Sequence, residues 1–233
     1  AQALMYGAEV IAVTGNFDRA LEMAREAADE KGYAIVNSVN PYRLWGQRSG
    51  AWEVCEDLRE APDWHAIPVG NAGNISAYWA GYKQYKEIGK IKALPKMMGF
   101  QAAGAAPLVT GKPCPEPETI ATAIRIGNPV SAHLAKDAAK ESNGEFNSVT
   151  DEEILAAQYF LSSKGGIFAE PASCAPLAGL VKLKKFGRLP KGIKVVMVLT
   201  GNGLKDPDTA MSQVGRPIEI GDTLAELLEV MKG

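Results

Sequence analysis

Residues 64–82 read WHAIPVGNAGNISAYWAGY, and this stretch decides the fold. Its first six residues form an apolar run typical of a buried strand, and a turn that contains Gly70 and Gly73 follows at once. After the turn, apolar side chains recur at the three- and four-residue spacing of one helix face. A strand that passes through a tight turn into a helix is the first part of a βαβ unit, whose strands run parallel.

Strand and helix patterns alternate along the rest of the chain. Strands are predicted at residues 9–13, 33–36, 64–69, 96–100 and 195–199, and helices at residues 18–31, 43–58, 150–163 and 171–185. The run 101–128 is rich in Gly, Ala and Pro and predicts a long loop over a site. This order predicts an α/β fold with a mostly parallel sheet and helices on both faces, where ligands bind at the carboxyl ends of the strands.

Composition limits the kinds of partner. The 25 basic and 27 acidic residues are spread along the chain and leave a formal charge of −2, so no basic block indicates nucleic acid. No apolar run reaches the roughly 18 to 20 residues of a membrane span, and no signal peptide is visible. We therefore expect a cytoplasmic protein that binds small molecules and contacts neither nucleic acid nor membrane.

The cysteines and histidines do not form a metal or catalytic pattern. Cys55, Cys114 and Cys174 are odd in number and far apart, which favours reduced thiols over disulfides or a zinc site. His65 and His133 are isolated from any serine or cysteine nucleophile pattern, so a structural role is expected for both.

The first candidate site is the turn at residues 70–74, Gly-Asn-Ala-Gly-Asn. Its glycines allow close backbone approach, and the amides at the start of the following helix suit a phosphate group. A plain connection from strand to helix explains the same residues, and the residues alone leave both interpretations open.

Thr200 and Arg43 are two further candidate ligand-binding residues, and each also has a purely structural interpretation. Thr200 follows the last predicted strand, where its hydroxyl could meet a ligand or bond its own turn. Arg43 stands near a predicted helix start, where its guanidinium could bind an anion through two hydrogen bonds or remain solvated.

The chain resembles threonine synthase, a fold-type-II pyridoxal-phosphate (PLP) enzyme family, over nearly its whole length. The resemblance is carried by runs in matching order and spacing: NSVNPYRLWGQRSGAWEV (37–54), PVGNAGNISAYWAGY (68–82), MMGFQAAGAAPLV (97–109), TIATAIRIGNPVSA (119–132), GGIFAEPASCAPLAGL (165–180) and VLTGNGLKD (198–206). It implies a tryptophan-synthase-beta-like fold whose N-terminal part is missing here. Residues 1–40 would then be the remainder of a smaller domain, and residues 41–233 the large PLP-binding domain.

The resemblance also assigns roles to residues. It implies a lyase that converts O-phosphohomoserine and water to threonine and phosphate, with PLP as electron sink, in an enzyme that is a homodimer when intact. The residues that match the substrate-phosphate positions are Ser38, Arg43 and Asn71. The residues that match the cofactor positions are Gly70, Asn71, Ala72, Gly73 and Asn74 at the phosphate and Thr200 at the pyridine nitrogen.

The sequence differs from the threonine synthase family at its N-terminus. Family members carry an N-terminal motif whose lysine bonds the cofactor, and this sequence has no matching motif, so we expect no catalytic Schiff-base lysine in this chain and no activity of the chain alone. Residues 1–6 read as the end of a helix without its start, so we also expect residues upstream. Two alternatives remain: a threonine dehydratase-like lyase, or a non-catalytic fragment that binds phosphate or PLP.

Overall fold

The fold is built around a parallel sheet. The computed structural model describes residues 2–15, 17–38 and 40–231. Within them the sheet has four strands in the order β3-β2-β1-β4. The strands are β1 (Trp64–Pro68), β2 (Lys96–Ala102), β3 (Glu145–Val149) and β4 (Val195–Met197).

Helices occupy most of the remaining ordered backbone. The α-helices of the described residues are α1 (Gln2–Met5), α2 (Phe17–Lys31), α3 (Pro41–Gln47), α4 (Ser49–Leu58), α5 (Gly73–Glu87), α6 (Pro107–Thr110), α7 (Ala132–Glu141), α8 (Asp151–Gly165), α9 (Pro171–Lys185), α10 (Pro207–Met211) and α11 (Leu224–Val230). Short 3₁₀ turns lie at Ala103–Ala105, Thr122–Ile124 and Gly203–Lys205.

Strand β1 lies between β2 and β4, and each pairing in the sheet is parallel. Ala66 pairs with Met98 on one side and with Met197 on the other. All five residues of β1 are buried, as is usual for a parallel strand with neighbours on both edges and helices on both faces. The predicted mostly parallel sheet is confirmed.

Two apolar layers attach helices to opposite faces of the sheet. On one face, Phe100 and Ala66 pack with side chains of α8 and α9 such as Ala175. On the other face, Ile67 packs with side chains of α4, α5 and α7, among them Trp79. The expected helices on both faces are therefore present, and each contributes one apolar side to a close-packed layer.

Local sequence patterns locate several helix ends correctly. Thr150 accepts a hydrogen bond from the Glu153 amide, and the Glu153 carboxylate accepts one from the Thr150 amide, which forms the capping box that begins α8. Helix α9 has the predicted bounds, Pro171–Lys185. These ends could be read from sequence because each depends on residues a few positions apart.

Other predictions were wrong. Residues 9–13 and 33–36 are not strands, because a β-rich run needs a neighbouring strand for its backbone hydrogen bonds and none is present among the described residues. The helix predicted at 43–58 is two helices, α3 and α4, separated at Arg48. Strand β3 was not predicted, since its polar sequence EFNSV lacks an apolar run and lies at the edge of the sheet.

Some expectations are not tested by the fold. The division into domains at residue 40 stays a prediction. Ala1, the first residue of the expected helix end, lies outside the described residues, whereas Gln2–Met5 is helical. In the described part of the chain, no helix combines the length and the apolar character needed to cross a bilayer.

Gly179 should be essential for the packing of α9 on the sheet. A Cβ atom at this position would overlap the Phe100 ring, whereas a Cβ at Gly165 in α8 would meet Leu161 at 3.5 Å, an ordinary contact. We expect Gly179→Ala to lower the free energy of unfolding by about 1 to 3 kcal/mol despite the better helix propensity of alanine. Gly165→Ala is the matched control and should be neutral or stabilising. Urea unfolding measures the free energy of unfolding of both variants. An equal change in the two would contradict the close packing of Gly179 on Phe100.

His65 should make stability depend on pH. Its ring is fully buried, with Nδ1 2.9 Å from the Tyr82 hydroxyl, and burial lowers the pKa of His65 from 6.5 to about 3. Between these two pH values only the unfolded chain takes up this proton. The free energy of unfolding should therefore decrease as the pH is lowered from about 6.5 to about 3, by up to about 1.4 kcal/mol per pH unit.

Urea unfolding at about pH 7 and about pH 5 checks this dependence. His65→Gln should reduce the difference between the two pH values, whereas substitution of the exposed His133 by Gln should leave it unchanged. A difference that is the same in all three proteins would show that His65 does not contribute.

Candidate functional site

A cavity of about 340 Å³ lies at the carboxyl ends of β1 and β4. Its size is within the roughly 300 to 1,000 Å³ typical of small-molecule sites. It brings together residues from five separate parts of the sequence, 38–47, 68–74, 123–124, 170 and 200–205. Among the residues that line it are Ser38, Arg43, Asn71, Ala72, Gly73, Asn74, Glu170, Thr200 and Lys205.

The turn after β1 presents unpaired backbone donors to this cavity. Helix α5 begins at Gly73, and among the described residues no acceptor bonds the amides of Gly73, Asn74 or Ile75. Ala72 precedes them in the left-handed conformation, with φ 66°, which is unusual for a residue other than glycine. Amides at the start of a 15-residue helix, together with its dipole, suit a negatively charged group.

Gly70, the first residue of the predicted phosphate turn, is buried and does not line the cavity. A Cβ atom on it would lie 3.0 Å from the carbonyl oxygen of Ala123 and 3.0 Å from Cα of Ile124. The glycine therefore allows the loop between β2 and α7 to approach the turn closely. Ala123 and Ile124 themselves line the cavity.

The Asn71 side chain is held in one orientation by backbone. Its Oδ1 accepts a hydrogen bond of 2.7 Å from the Val130 amide, which leaves Nδ2 to donate to Ser38 Oγ. The Asn71 carbonyl also accepts from the Ser131 amide at 3.2 Å. Since Ser38 Oγ already accepts from Asn71, its own hydrogen is available to an acceptor in the cavity.

Arg43 enters the cavity from the first turn of α3. Asn40 caps this helix, since its side chain accepts from the Tyr42 amide at 2.9 Å and donates to the Ile35 carbonyl at 2.7 Å. Pro41 occupies the first helical position, which fits its fixed φ. In the described part of the chain no carboxylate pairs with the Arg43 guanidinium, so its charge is available to an anionic ligand.

Thr200 lies on the other side of the cavity, beyond the end of β4. Its Oγ1 is 2.9 Å from Oγ of Ser173, a fully buried residue of α9. Ser173 Oγ also accepts a hydrogen bond of 2.9 Å from the Gly201 amide. The hydroxyl of Thr200 is therefore held at the cavity wall by a buried partner.

A charged pair lies beside this hydroxyl. Glu170 is 4% exposed, and its Oε2 lies 3.2 Å from the Lys205 ammonium, which is largely exposed. The Glu170 amide bonds the Gly201 carbonyl at 3.0 Å, and a side chain at Gly201 would overlap the Glu170 carboxylate. Lys205 offsets the charge that Glu170 brings into this buried position.

The sequence interpretation did not single out Glu170, Ser173 or Lys205. A Glu-Pro pair at a helix start was visible, and it predicts the beginning of α9. The pairing of Ser173 with Thr200, however, joins residues 27 apart, and no local pattern indicates it.

The histidines and cysteines lie outside the lining of this cavity. Cys55 and Cys174 are buried, and desolvation raises the pKa of the Cys174 thiol to about 12, so it stays protonated near neutral pH. All three cysteines are free. The part of the chain that the structure describes contains no group of three or more His, Cys, Asp and Glu side chains arranged to hold a metal ion.

The sequence of residues 1–201 matches the family model described as pyridoxal-phosphate dependent enzyme. The chain belongs to this family. Because the matched residues include β1, the turn after it and Thr200, the family assignment covers most of the cavity described above.

Relatives within the family resemble the chain closely. Threonine synthase from Synechocystis sp. is 57% identical over 220 residues, which cover 94% of this chain and 57% of that protein. Threonine synthase from Halalkalibacterium halodurans is 56% identical over 234 residues, covering 100% of this chain and 66% of that protein. The resemblance to threonine synthase is confirmed, and the chain spans 57% to 66% of the length of these two relatives.

Solved structures of other proteins share the fold. Threonine deaminase isoform 2 from Solanum lycopersicum superposes with a TM-score of 0.69 at 19% identity, over 97% of this chain and 56% of that one. Maize serine racemase superposes with a TM-score of 0.72 at 18% identity, over 90% of this chain and 65% of that one. At these identities the likeness shows the fold alone.

The cavity residues fit the phosphorylated pyridine that gives the family its name. The unpaired amides of the first turn of α5 are suited to a phosphate group. Thr200 presents a hydroxyl at the end of the neighbouring strand, where a ring nitrogen could accept a hydrogen bond. Arg43 and Ser38 add donors for a second anionic group.

Asn71 should stabilise the turn as well as line the cavity. Asn71→Ala leaves the Val130 amide without its acceptor, and we expect the free energy of unfolding to fall by about 1 to 2 kcal/mol. Asn74→Ala, in the same turn but without a side-chain hydrogen bond to the described residues, is the control and should have little effect. Thermal and urea unfolding measure both, and an equally small loss in the two variants would contradict the role of Asn71.

Proposed function

We propose that this cavity binds PLP and O-phosphohomoserine, and that the chain takes part in the threonine synthase reaction, the formation of threonine and phosphate from O-phosphohomoserine and water. The observation that carries the proposal is the presence of two separate sets of anion donors in one cavity, the α5 amides and Arg43 with Ser38. High identity to proteins named threonine synthase supports the same reaction.

The turn after β1 would hold the cofactor phosphate. Backbone amides of Gly73 and Asn74 have no acceptor among the described residues, they lie at the positive end of the α5 dipole, and the first turn of α5 contains no acidic residue. Gly70 would support this turn through its close contact with Ala123. Binding by backbone suits a group that stays in place while the substrate changes.

Ser38, Asn71 and Arg43 would bind the phosphate of the substrate. Asn71 donates to Ser38, so the Ser38 hydroxyl points its own hydrogen to an acceptor, and Arg43 supplies a positive charge that no described carboxylate neutralises. The same residues could stabilise the phosphate ion as it leaves, because its negative charge grows when the carbon–oxygen bond breaks.

Thr200 would donate its hydroxyl hydrogen to the pyridine nitrogen. PLP, when bound, supplies an electron sink for the carbanions formed on the substrate. A neutral hydroxyl beside the nitrogen favours its unprotonated form over the protonated one, whereas an ionised carboxylate would do the reverse. This chain's contribution to the chemistry is therefore the charge state of the ring and the position of both phosphates.

Other properties of the whole protein are proposals as well. A homodimer and a cytoplasmic location follow from the resemblance to threonine synthase, as does a large PLP-binding domain that begins near residue 41. Sedimentation at several concentrations would measure the oligomeric state, and a monomer throughout would contradict the first of these.

Product analysis separates the proposed reaction from its alternatives. With PLP present, the intact enzyme is assayed, because the chain alone is expected to be inactive. It is given O-phosphohomoserine or threonine, and threonine, 2-oxobutyrate and free phosphate are measured. Threonine with equimolar phosphate from O-phosphohomoserine supports the proposal, and 2-oxobutyrate from threonine as the main product supports a dehydratase. Binding of both ligands without turnover supports a binding role for the chain alone.

Arg43 tests substrate recognition separately from the cofactor. Loss of one charge-assisted hydrogen bond is worth about 1.5 to 3 kcal/mol, so Arg43→Ala should weaken O-phosphohomoserine about 10- to 150-fold. The affinity for 4′-deoxypyridoxine 5′-phosphate, a cofactor analogue without the aldehyde, should barely change. Isothermal titration measures both affinities.

The control for Arg43 is Arg216→Ala, which removes an exposed arginine that does not line the cavity. It should change neither affinity. Equal losses of substrate and cofactor affinity in Arg43→Ala would show that Arg43 supports the fold of α3 and does not recognise the substrate.

A further inference from the structure

A second cavity, of about 180 Å³, lies where α5 and α7 meet the end of α3. At a share of roughly 30 Å³ for each water, it has the volume of about six water molecules, which is room for a small organic molecule. Its apolar lining comes from Leu44, Ala77, Ala80 and Leu134. Leu44 also lines the first cavity, so a ligand here would contact the helix that carries Arg43.

Arg48 brings a positive charge without a carboxylate partner to this cavity. Its Cζ atom lies 4.4 Å from the centre of the Trp45 ring, which is a cation–π contact. Its Nε atom is buried without an acceptor, and among the residues described no carboxylate forms an ion pair with Arg48. A buried donor without a partner is costly, and a guanidinium binds a carboxylate through two parallel hydrogen bonds. Arg48 is therefore suited to the carboxylate of a ligand.

A negative charge without a basic partner lies on α7. Asp137 lines the cavity, is exposed, and has no Lys, Arg or His partner in the described part of the chain. The other two charges of the cavity neutralise each other, since Lys83 Nζ lies 2.7 Å from Glu141 Oε2. The same oxygen of Glu141 accepts from Trp79 Nε1 at 2.7 Å. The cavity therefore keeps one unpaired cation and one unpaired anion.

This charge pattern distinguishes among classes of ligand. A simple anion would gain the contact with Arg48 but would be repelled by Asp137, and a simple cation would meet the reverse. A zwitterion with a short apolar side chain satisfies both charges and also covers the apolar walls. We propose that this cavity binds a free α-amino acid with a short aliphatic side chain, whose carboxylate contacts Arg48 and whose ammonium contacts Asp137. The proposal does not depend on what the first cavity binds.

Three probes with the same aliphatic group test the need for both charges. They are L-valine, 3-methylbutanoate, which lacks the ammonium, and isobutylamine, which lacks the carboxylate. Isothermal titration measures the affinity of the protein for each. We expect 3-methylbutanoate to bind about two- to fivefold more weakly than L-valine, because its lost partner Asp137 is exposed. Isobutylamine should bind at least about tenfold more weakly, because it loses charge-assisted bonds to the half-buried Arg48.

Two substitutions assign each charge to its residue. Arg48→Gln should weaken L-valine about tenfold or more and leave isobutylamine unchanged. Asp137→Asn should weaken L-valine about two- to fivefold and should not weaken 3-methylbutanoate. Asp57→Asn, which changes an exposed acid of α4 outside the cavity lining, is the matched control and should change no affinity. Because Asp137 is exposed, its substitution serves even if Arg48→Gln does not fold.

Nitrogen-15 NMR locates the bound amino acid. L-valine should shift the Nε–H signal of Arg48 and the indole N–H signal of Trp79, which lines the same cavity. The side-chain amide signal of Asn71, which lines the first cavity, should stay in place.

Four results would overturn the proposal. The first is no binding of L-valine to the wild-type protein, and the second is equal affinity for L-valine and 3-methylbutanoate, which would indicate a site for anions. The third is a shift at Asn71 with none at Arg48, which would put the amino acid in the first cavity. The fourth is an unchanged affinity for L-valine in both Arg48→Gln and Asp137→Asn, which would exclude the two contacts.

Discussion

The parallel pairing of β1 with β4 is the constraint on which the rest of the site depends. Because the two strands run in the same direction, the turn after β1 and Thr200 after β4 emerge at the same edge of the sheet. The short antiparallel bridge between Ala169 and Asn202 then brings the start of α9 to this edge. An antiparallel β4 would put Thr200 at the opposite end and separate it from the α5 amides.

Backbone amides orient the polar side chains on both sides of the cavity. On one side the Val130 amide holds Asn71, which in turn directs Ser38; on the other, the Gly201 amide holds Ser173, which contacts Thr200. The charges also differ between the sides. Arg43 has no carboxylate partner among the described residues, whereas Glu170 is paired with Lys205. The arrangement suits an anion on one side and a neutral acceptor on the other.

Several elements could be predicted because their causes are local. The capping box at Thr150 and the Pro-started α9 depend on residues within one helical turn, and both agree with the structure. The strands predicted at 9–13 and 33–36 were wrong for the opposite reason, since strand formation needs a partner that sequence alone does not supply. Strand β3 was missed because its pairing with β2, and not its own composition, makes it a strand.

By itself, the sequence determined the α/β order, the strand-turn-helix unit at residues 64–82 and the resemblance that pointed to the candidate residues from Ser38 to Thr200. Only the tertiary structure decided that most of these residues line one cavity, that Gly70 instead packs against Ala123 and Ile124, and that Glu170, Ser173 and Lys205 adjoin Thr200. The reason is physical: periodicity and capping report interactions within a few residues, whereas these contacts join residues tens of positions apart, and they exist only once the parallel strands are paired.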